Sequence, residues 1–176
     1  VIRAVLRNGH DLVIKVVENP DFLKRLFGSD DMHLLRKCPC PIWLTKPAEQ
    51  LRYNCVLAAV DFNPLTPSMV EQALNREILG LAGTLALSGS ASLHVAHAWE
   101  TFAEKTVLAR GDIRPENLVP YAENEQGLHQ KGLHRLSETW RDQIGAEAYQ
   151  QLSPQFHLIK GSARKMIPAL AAKLQA

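Results

Sequence analysis

The chain has 176 residues, 46% of them hydrophobic and 22% charged, enough apolar material for a packed core. Twenty basic residues against 18 acidic leave a formal net charge of +2, which gives no electrostatic reason to expect a nucleic-acid partner. No apolar run approaches the roughly 20 residues a bilayer requires, and no secretory signal is visible. Cys38, Cys40 and Cys55 are an odd number of thiols, which suits a reducing cytoplasm better than a disulfide framework.

Val1 to Arg7 reads as the last turns of a helix, with Gly9 as its stop because glycine accepts the left-handed conformation. Asp11 to Val17 is a nearly continuous β-branched run, the pattern of a strand buried on both faces of a parallel sheet. A loop at Glu18 to Pro20 and a short apolar stretch, Phe22 to Phe27, follow. Asp31 is placed to cap a helix over Met32 to Lys37, which Pro39 and Pro41 end. Pro41 to Lys46 is the next strand, and Pro47 to Tyr53 reads as a linker.

Cys55 to Val60 is a third strand, ending at Asp61. Pro64 and Pro67 mark a loop. From Ser68 onward Val70, Ala73, Leu74, Ile78, Leu81 and Leu85 recur at helical spacing. Leu93 to Trp99 is a fourth strand, and Glu100 to Pro120 has little regular pattern. Leu128 to Ile144 is amphipathic and predicts a long helix. Phe156 to Ile159 is a short fifth strand, and Gly161-Ser162 opens a last helix, Ala163 to Gln175. Strands alternating with helices predict an α/β fold with a parallel sheet. A chain that starts inside a helix and stops on one is expected to be a piece of something longer.

Three segments carry a more specific signal. "HLLRKCPCPIWL" (His33 to Leu44) resembles the end of a universal stress protein domain, where a helix with "LLR" meets "PCPV" and the final strand. "GHDLVIK" (Gly9 to Lys15) resembles the strand before it. "VLAAVD" (Val56 to Asp61) is similar to the family's first strand, "ILVAVD". The end of one domain thus precedes the start of another, the layout of a tandem, two-domain family member. The closing "KGSARKMIPALAAKLQA" adds to the likeness, which is thin between Trp99 and Ala148.

The resemblance implies a flavodoxin-like (adenine nucleotide alpha hydrolase-like) parallel sheet with flanking helices. It divides the chain into 1–46, the C-terminal part of a first domain; 47–53, a linker; and 54–176, the N-terminal part of a second. It implies a bacterial, cytoplasmic stress-response protein that binds a small-molecule ligand and assembles as a homodimer or pseudo-dimer through the fifth strand, here Pro41 to Lys46. A sheet lacking its fourth strand is expected to associate or swap.

The resemblance also makes ATP the candidate cofactor. Nucleotide-binding members carry a loop G-x₂-G-x₉-G-[ST], whose glycines let backbone N–H groups reach phosphates. After Val13-Ile14 the chain runs Lys15-Val16-Val17-Glu18-Asn19 instead, and only Gly28-Ser29 matches the motif's end. ATP binding by the first domain is therefore not expected, and Gly28-Ser29 reads equally as a plain turn. In the second domain Val60 and Asp61, with Ala98 on the next strand, fall where family members line the adenosine pocket. The structural reading of Asp61 is a loop cap made with Asn63.

The remaining chemistry-bearing residues make weak patterns. Cys38-Pro39-Cys40 lacks the second pair of a zinc site and is not C-x-x-C, so it reads as structural. His94 and His97 face opposite sides of a strand, and His129 and His134 lie apart around a helix, so the histidines read as packed or surface groups. Trp99 and Trp140 are pocket or core residues. No nucleophile–base pair supports an enzyme of unrelated chemistry on this fold. The readings that stand are a non-catalytic stress-response module and, second, an ATP-binding protein with slow hydrolysis through its second domain.

Overall fold

The computed structural model describes residues 1–16, 30–45, 53–101 and 118–176. It divides into two compact units, Val1–Leu51 and Arg52–Ala176.

In the first unit α1 spans Ile2–Asn8 and stops as expected: Gly9 takes φ 64°, ψ 47° and donates its N–H to the Val5 carbonyl at 2.8 Å. Strands β1 (Val13–Val16) and β2 (Ile42–Thr45) pair in parallel, Val13 beside Ile42 and Val16 beside Thr45. Helix α2 covers Asp30–Lys37. Asp31 therefore lies within the helix and does not cap it, because the helix takes in Asp30, two residues before the expected start at Met32. β1 also differs from expectation. Ile14 is 63% and Val16 55% exposed, so only one face of the strand is partly covered. Branching at Cβ selects extended backbone, whereas burial depends on the layers around it. Val5 and Leu34 are the described buried side chains of this unit.

In the second unit three parallel strands, β3 (Cys55–Ala59), β4 (Ser92–Trp99) and β5 (Gln155–Lys160), stand in the order β3-β4-β5. Cys55 pairs with Ser92, and His94 with Gln155. β4 is central, and Leu93 to His97 are all buried, as a near-continuous apolar run in a parallel sheet should be. α3 (Met69–Gly89) joins β3 to β4. It is opened by a capping box: Ser68 Oγ accepts the Glu71 N–H at 3.1 Å, and Glu71 Oε2 accepts the Ser68 N–H at 2.9 Å.

Helix α4 runs Leu118–Ile144, ten residues longer at its start than the amphipathic pattern marks. Pro120 is tolerated there, since a first-turn residue has no intrahelical N–H partner to lose. Gly145, at φ 85°, separates α4 from the short α5 (Ala146–Leu152), and α6 (Ala163–Leu174) follows β5. The core joins Ala58 and Val60 of the first strand region, Leu79, Ala82 and Ala86 of α3, Leu93 and Val95 of β4, and Leu133 and Trp140 of α4. Gly83 lets the Trp140 ring settle on α3, since a Cβ there would stand 3.2 Å from Cζ2. Parallel strands flanked by helices make this an α/β fold of the flavodoxin-like kind.

Candidate functional site

In open α/β sheets, ligands collect at the carboxyl ends of the strands. β3 ends at Ala59, and Val60 continues its ladder by donating its N–H to the Ala96 carbonyl at 2.9 Å. The Val60 side chain is 4% exposed and belongs to the core, so its carbonyl is what it offers the site. Asp61 is held differently. Its backbone N–H donates to Asn75 Oδ1 at 3.2 Å, and Asn75 Nδ2 donates to its carbonyl at 2.7 Å. Asn75 is buried on α3, so this two-way clamp fixes the chain where the strand gives way to the loop. The carboxylate itself is 95% exposed. The loop is closed by Asn63, whose Oδ1 accepts the N–H groups of Leu65 and Thr66 at 2.9 and 3.1 Å.

Beside Asp61 lies a histidine pair that sequence spacing does not reveal. His97, 1% exposed on β4, places Nδ1 3.2 Å from the Val60 carbonyl and Nε2 2.8 Å from His129 Nδ1. A carbonyl only accepts, so neutral His97 carries its proton on Nδ1. Its Nε2 must then accept, His129 must donate from Nδ1, and His129 Nε2 is left with a lone pair. Burial lowers the pKa of both rings below the usual imidazole range; His97 lowers that of His129 further, while the Val60 carbonyl and Asp61 partly offset the shift at His97 and Asp61 that at His129. The Asp61 carboxylate is 3.8 Å from His97 Nδ1, too far for a hydrogen bond.

Aromatic rings hold the pair in place. Phe62 stacks on His97 with centroids 4.0 Å apart, and Trp99 lies against His129 at 5.3 Å. Phe62 reaches this position because residue 132 of α4 is glycine: a Cβ there would collide with the Phe62 ring. Two further polar atoms belong to the same strand end and to α4. Thr101 Oγ1 and Glu125 Oε2 are buried with no hydrogen-bond partner among the described residues. Ala98 is half-buried on β4 beside Ile159. Gly28 and Ser29 lie outside the described residues. The only advance signal for the pair was His97 standing within an apolar strand; its partner is 32 residues away on a helix. A second pair, His94 Nδ1 and His157 Nε2 at 2.9 Å, bridges β4 and β5.

Between α3 and α4 is a cleft of about 180 Å³. Phe62, Leu79, Leu136 and Trp140 supply apolar walls, and Arg76 and Arg135 stand on opposite helices. Among the described residues, no helix is long and apolar enough to cross a membrane.

No protein-family model matches the chain. Among curated proteins it is similar to universal stress protein E of Escherichia coli K12, 27% identical over 179 aligned positions that take in all of the chain and 52% of that protein. Universal stress protein E of Salmonella typhi gives the same identity and coverage. That of Photorhabdus laumondii is 26% identical over 143 positions, 80% of the chain and 44% of the relative. The chain thus spans about half the length of the curated relatives it matches.

Proposed function

We propose that this chain, a relative of the bacterial universal stress proteins, is a stress-response module that works by binding a small ligand and signalling through assembly. The observation that carries this reading is the strand-end cluster. Asp61 offers an exposed carboxylate on a rigidly clamped backbone, and His129 Nε2 offers an acceptor fixed by the His97 tautomer. Two buried polar atoms, on Thr101 and Glu125, have no hydrogen-bond partner among the described residues. Buried polar groups without partners cost stability, and a bound ligand is one way to satisfy them.

The proposal takes the chain as tandem in layout, 1–46 closing one domain, 47–53 linking, and 54–176 opening the next. It is cytoplasmic, and it pairs as a dimer or pseudo-dimer through Pro41 to Lys46. ATP is not bound by the first domain, because Val16 and Val17 stand where a phosphate loop needs glycines. A second reading is favoured by Asp61 alone: an exposed carboxylate at a strand end is suited to ribose hydroxyls, so the second domain would hold ATP and hydrolyse it slowly.

Native mass spectrometry of the purified protein, with and without Mg-ATP, separates these readings. A dimer with no ATP adduct, or with a different retained mass, supports the ATP-independent module. A stoichiometric ATP adduct that Asp61→Asn abolishes establishes the second reading. A monomer that retains no ligand under any condition overturns the proposal of signalling through assembly.

A further inference from the structure

The cleft between α3 and α4 adjoins the strand-end site and shares Phe62, Asn63, Asn75 and Gly132 with it, but its chemistry is distinct. Its walls are apolar and include two aromatic rings, Phe62 and Trp140. Trp140 is 2% exposed, yet its indole N–H has no hydrogen-bond partner among the described residues. Arg76 on α3 and Arg135 on α4 face the same cleft from opposite walls. No Asp or Glu lines it, and neither arginine has a carboxylate partner among the described residues.

Two cationic donors over a largely apolar floor call for a ligand with an apolar body and an anionic acceptor. Size narrows the class. A cavity of about 150 Å³ lined by apolar side chains holds one benzene ring, and this cleft offers about 180 Å³. Guanidinium groups match the planar geometry of a carboxylate with paired hydrogen bonds. Aromatic walls favour a flat ring over a flexible chain, which would lose more conformational freedom on binding. We propose that the α3–α4 cleft is a binding site for a small one-ring aromatic carboxylate, gripped by Arg76 and Arg135 and seated against Phe62 and Trp140.

This does not depend on what the strand ends bind. The probe is benzoate, titrated into ¹⁵N-labelled full chain while the tryptophan indole N–H resonances are followed. Benzylammonium and benzyl alcohol, of the same ring size, serve as cationic and neutral counterparts. Benzoate should bind in the millimolar range or tighter and move the Trp140 indole resonance, identified by its loss in Trp140→Phe. Benzyl alcohol should bind more weakly and benzylammonium not at all. The double variant Arg76→Gln, Arg135→Gln should lose about ten-fold or more in affinity, since each arginine makes charge-assisted contacts. The arginines are exposed, so this variant should keep the parent's melting temperature. An unmoved Trp140 indole resonance overturns the proposal. So does benzylammonium binding as well as benzoate, or undiminished affinity in the double variant.

Discussion

At the strand ends the chemistry turns on which nitrogen of each imidazole carries its proton. His97 and His129 form a directed chain from the Val60 carbonyl outward, and that chain requires His97 to be neutral so that its Nε2 can accept. Burial lowers both pKa values, and the same holds for His157, which lies near His94 and Lys173. The sign follows directly. Below the ordinary histidine value of 6.5 the unfolded chain binds protons that the folded one refuses, so stability rises with pH in that range. Stability contributed by the pair is complete above that value and is lost as pH falls through the lowered folded values. The melting temperature should be flat above neutrality and fall as pH drops below the ordinary histidine value of 6.5, and His97→Gln should flatten the fall. A profile equally steep in parent and variant would remove His97 from the account. Gly132 gives a second test at this scale. Alanine gains about 1 kcal/mol of helix propensity there, but forcing a Cβ into the Phe62 ring costs about 1–3 kcal/mol. Gly132→Ala should therefore be net destabilising by about 1 kcal/mol in urea denaturation. It should also lose the ring-current shift that Phe62 imposes on His97. What sequence made visible was the apolar setting of His97 and the position of Asp61. The pairing with His129 was not visible, because no local period links a strand residue to a helix residue 32 positions on.

Elements were legible where a terminal signal and a periodic run agreed. Helical spacing from Ser68 onward marked the start of α3, and a capping box with Glu71 is present there as two reciprocal hydrogen bonds. Those bonds also hold the Glu71 carboxyl below its ordinary range, the backbone bond from Ser68 being the main cause. Ser68→Ala should cost about 1 kcal/mol in chemical denaturation, whereas Ser68→Asp should restore most of it. Equal losses in both variants would show that packing, not capping, holds this end. Where signals were absent the boundaries moved. α4 begins ten residues before its amphipathic stretch, and α2 begins at Asp30, which places Asp31 inside it. At α2 the added residues are two aspartates, and at α4 the added stretch carries Pro120 and the polar run Glu123 to Gln126, so apolar periodicity did not extend to either start. The α3–α4 cleft was illegible for a related reason. Trp140 reads as core or pocket from sequence alone, and only the approach of Gly83 and Phe62 decides that it is both.

At the scale of the whole chain the two units differ in how their strands are covered. β4 has a neighbour on each side and five consecutive buried residues, and α3, α4 and α6 pack on its sheet. β1 pairs with β2, and alternate residues, Ile14 and Val16, are more than half exposed. The strand rich in β-branched residues, β1, is therefore only partly covered, whereas β4, in which Val95 alone is β-branched, forms the core. Local opening costs most where buried apolar contact is densest, so the units should differ in hydrogen-exchange protection. Amides of β3 and β4 should exchange only through global unfolding, with protection tracking the denaturation free energy. Amides of β1 and β2 should exchange faster by about two orders of magnitude or more, a gap of about 3 kcal/mol. Pairing of the Pro41 to Lys46 segment between chains would change this pattern in one place. The outer amides of β2 would become protected as protein concentration rises, while β1 and α1 would not. Exchange measured at two concentrations thus tests both statements. Uniform protection across all five strands would refute the difference between units, and a β2 unaffected by concentration would refute its role in assembly.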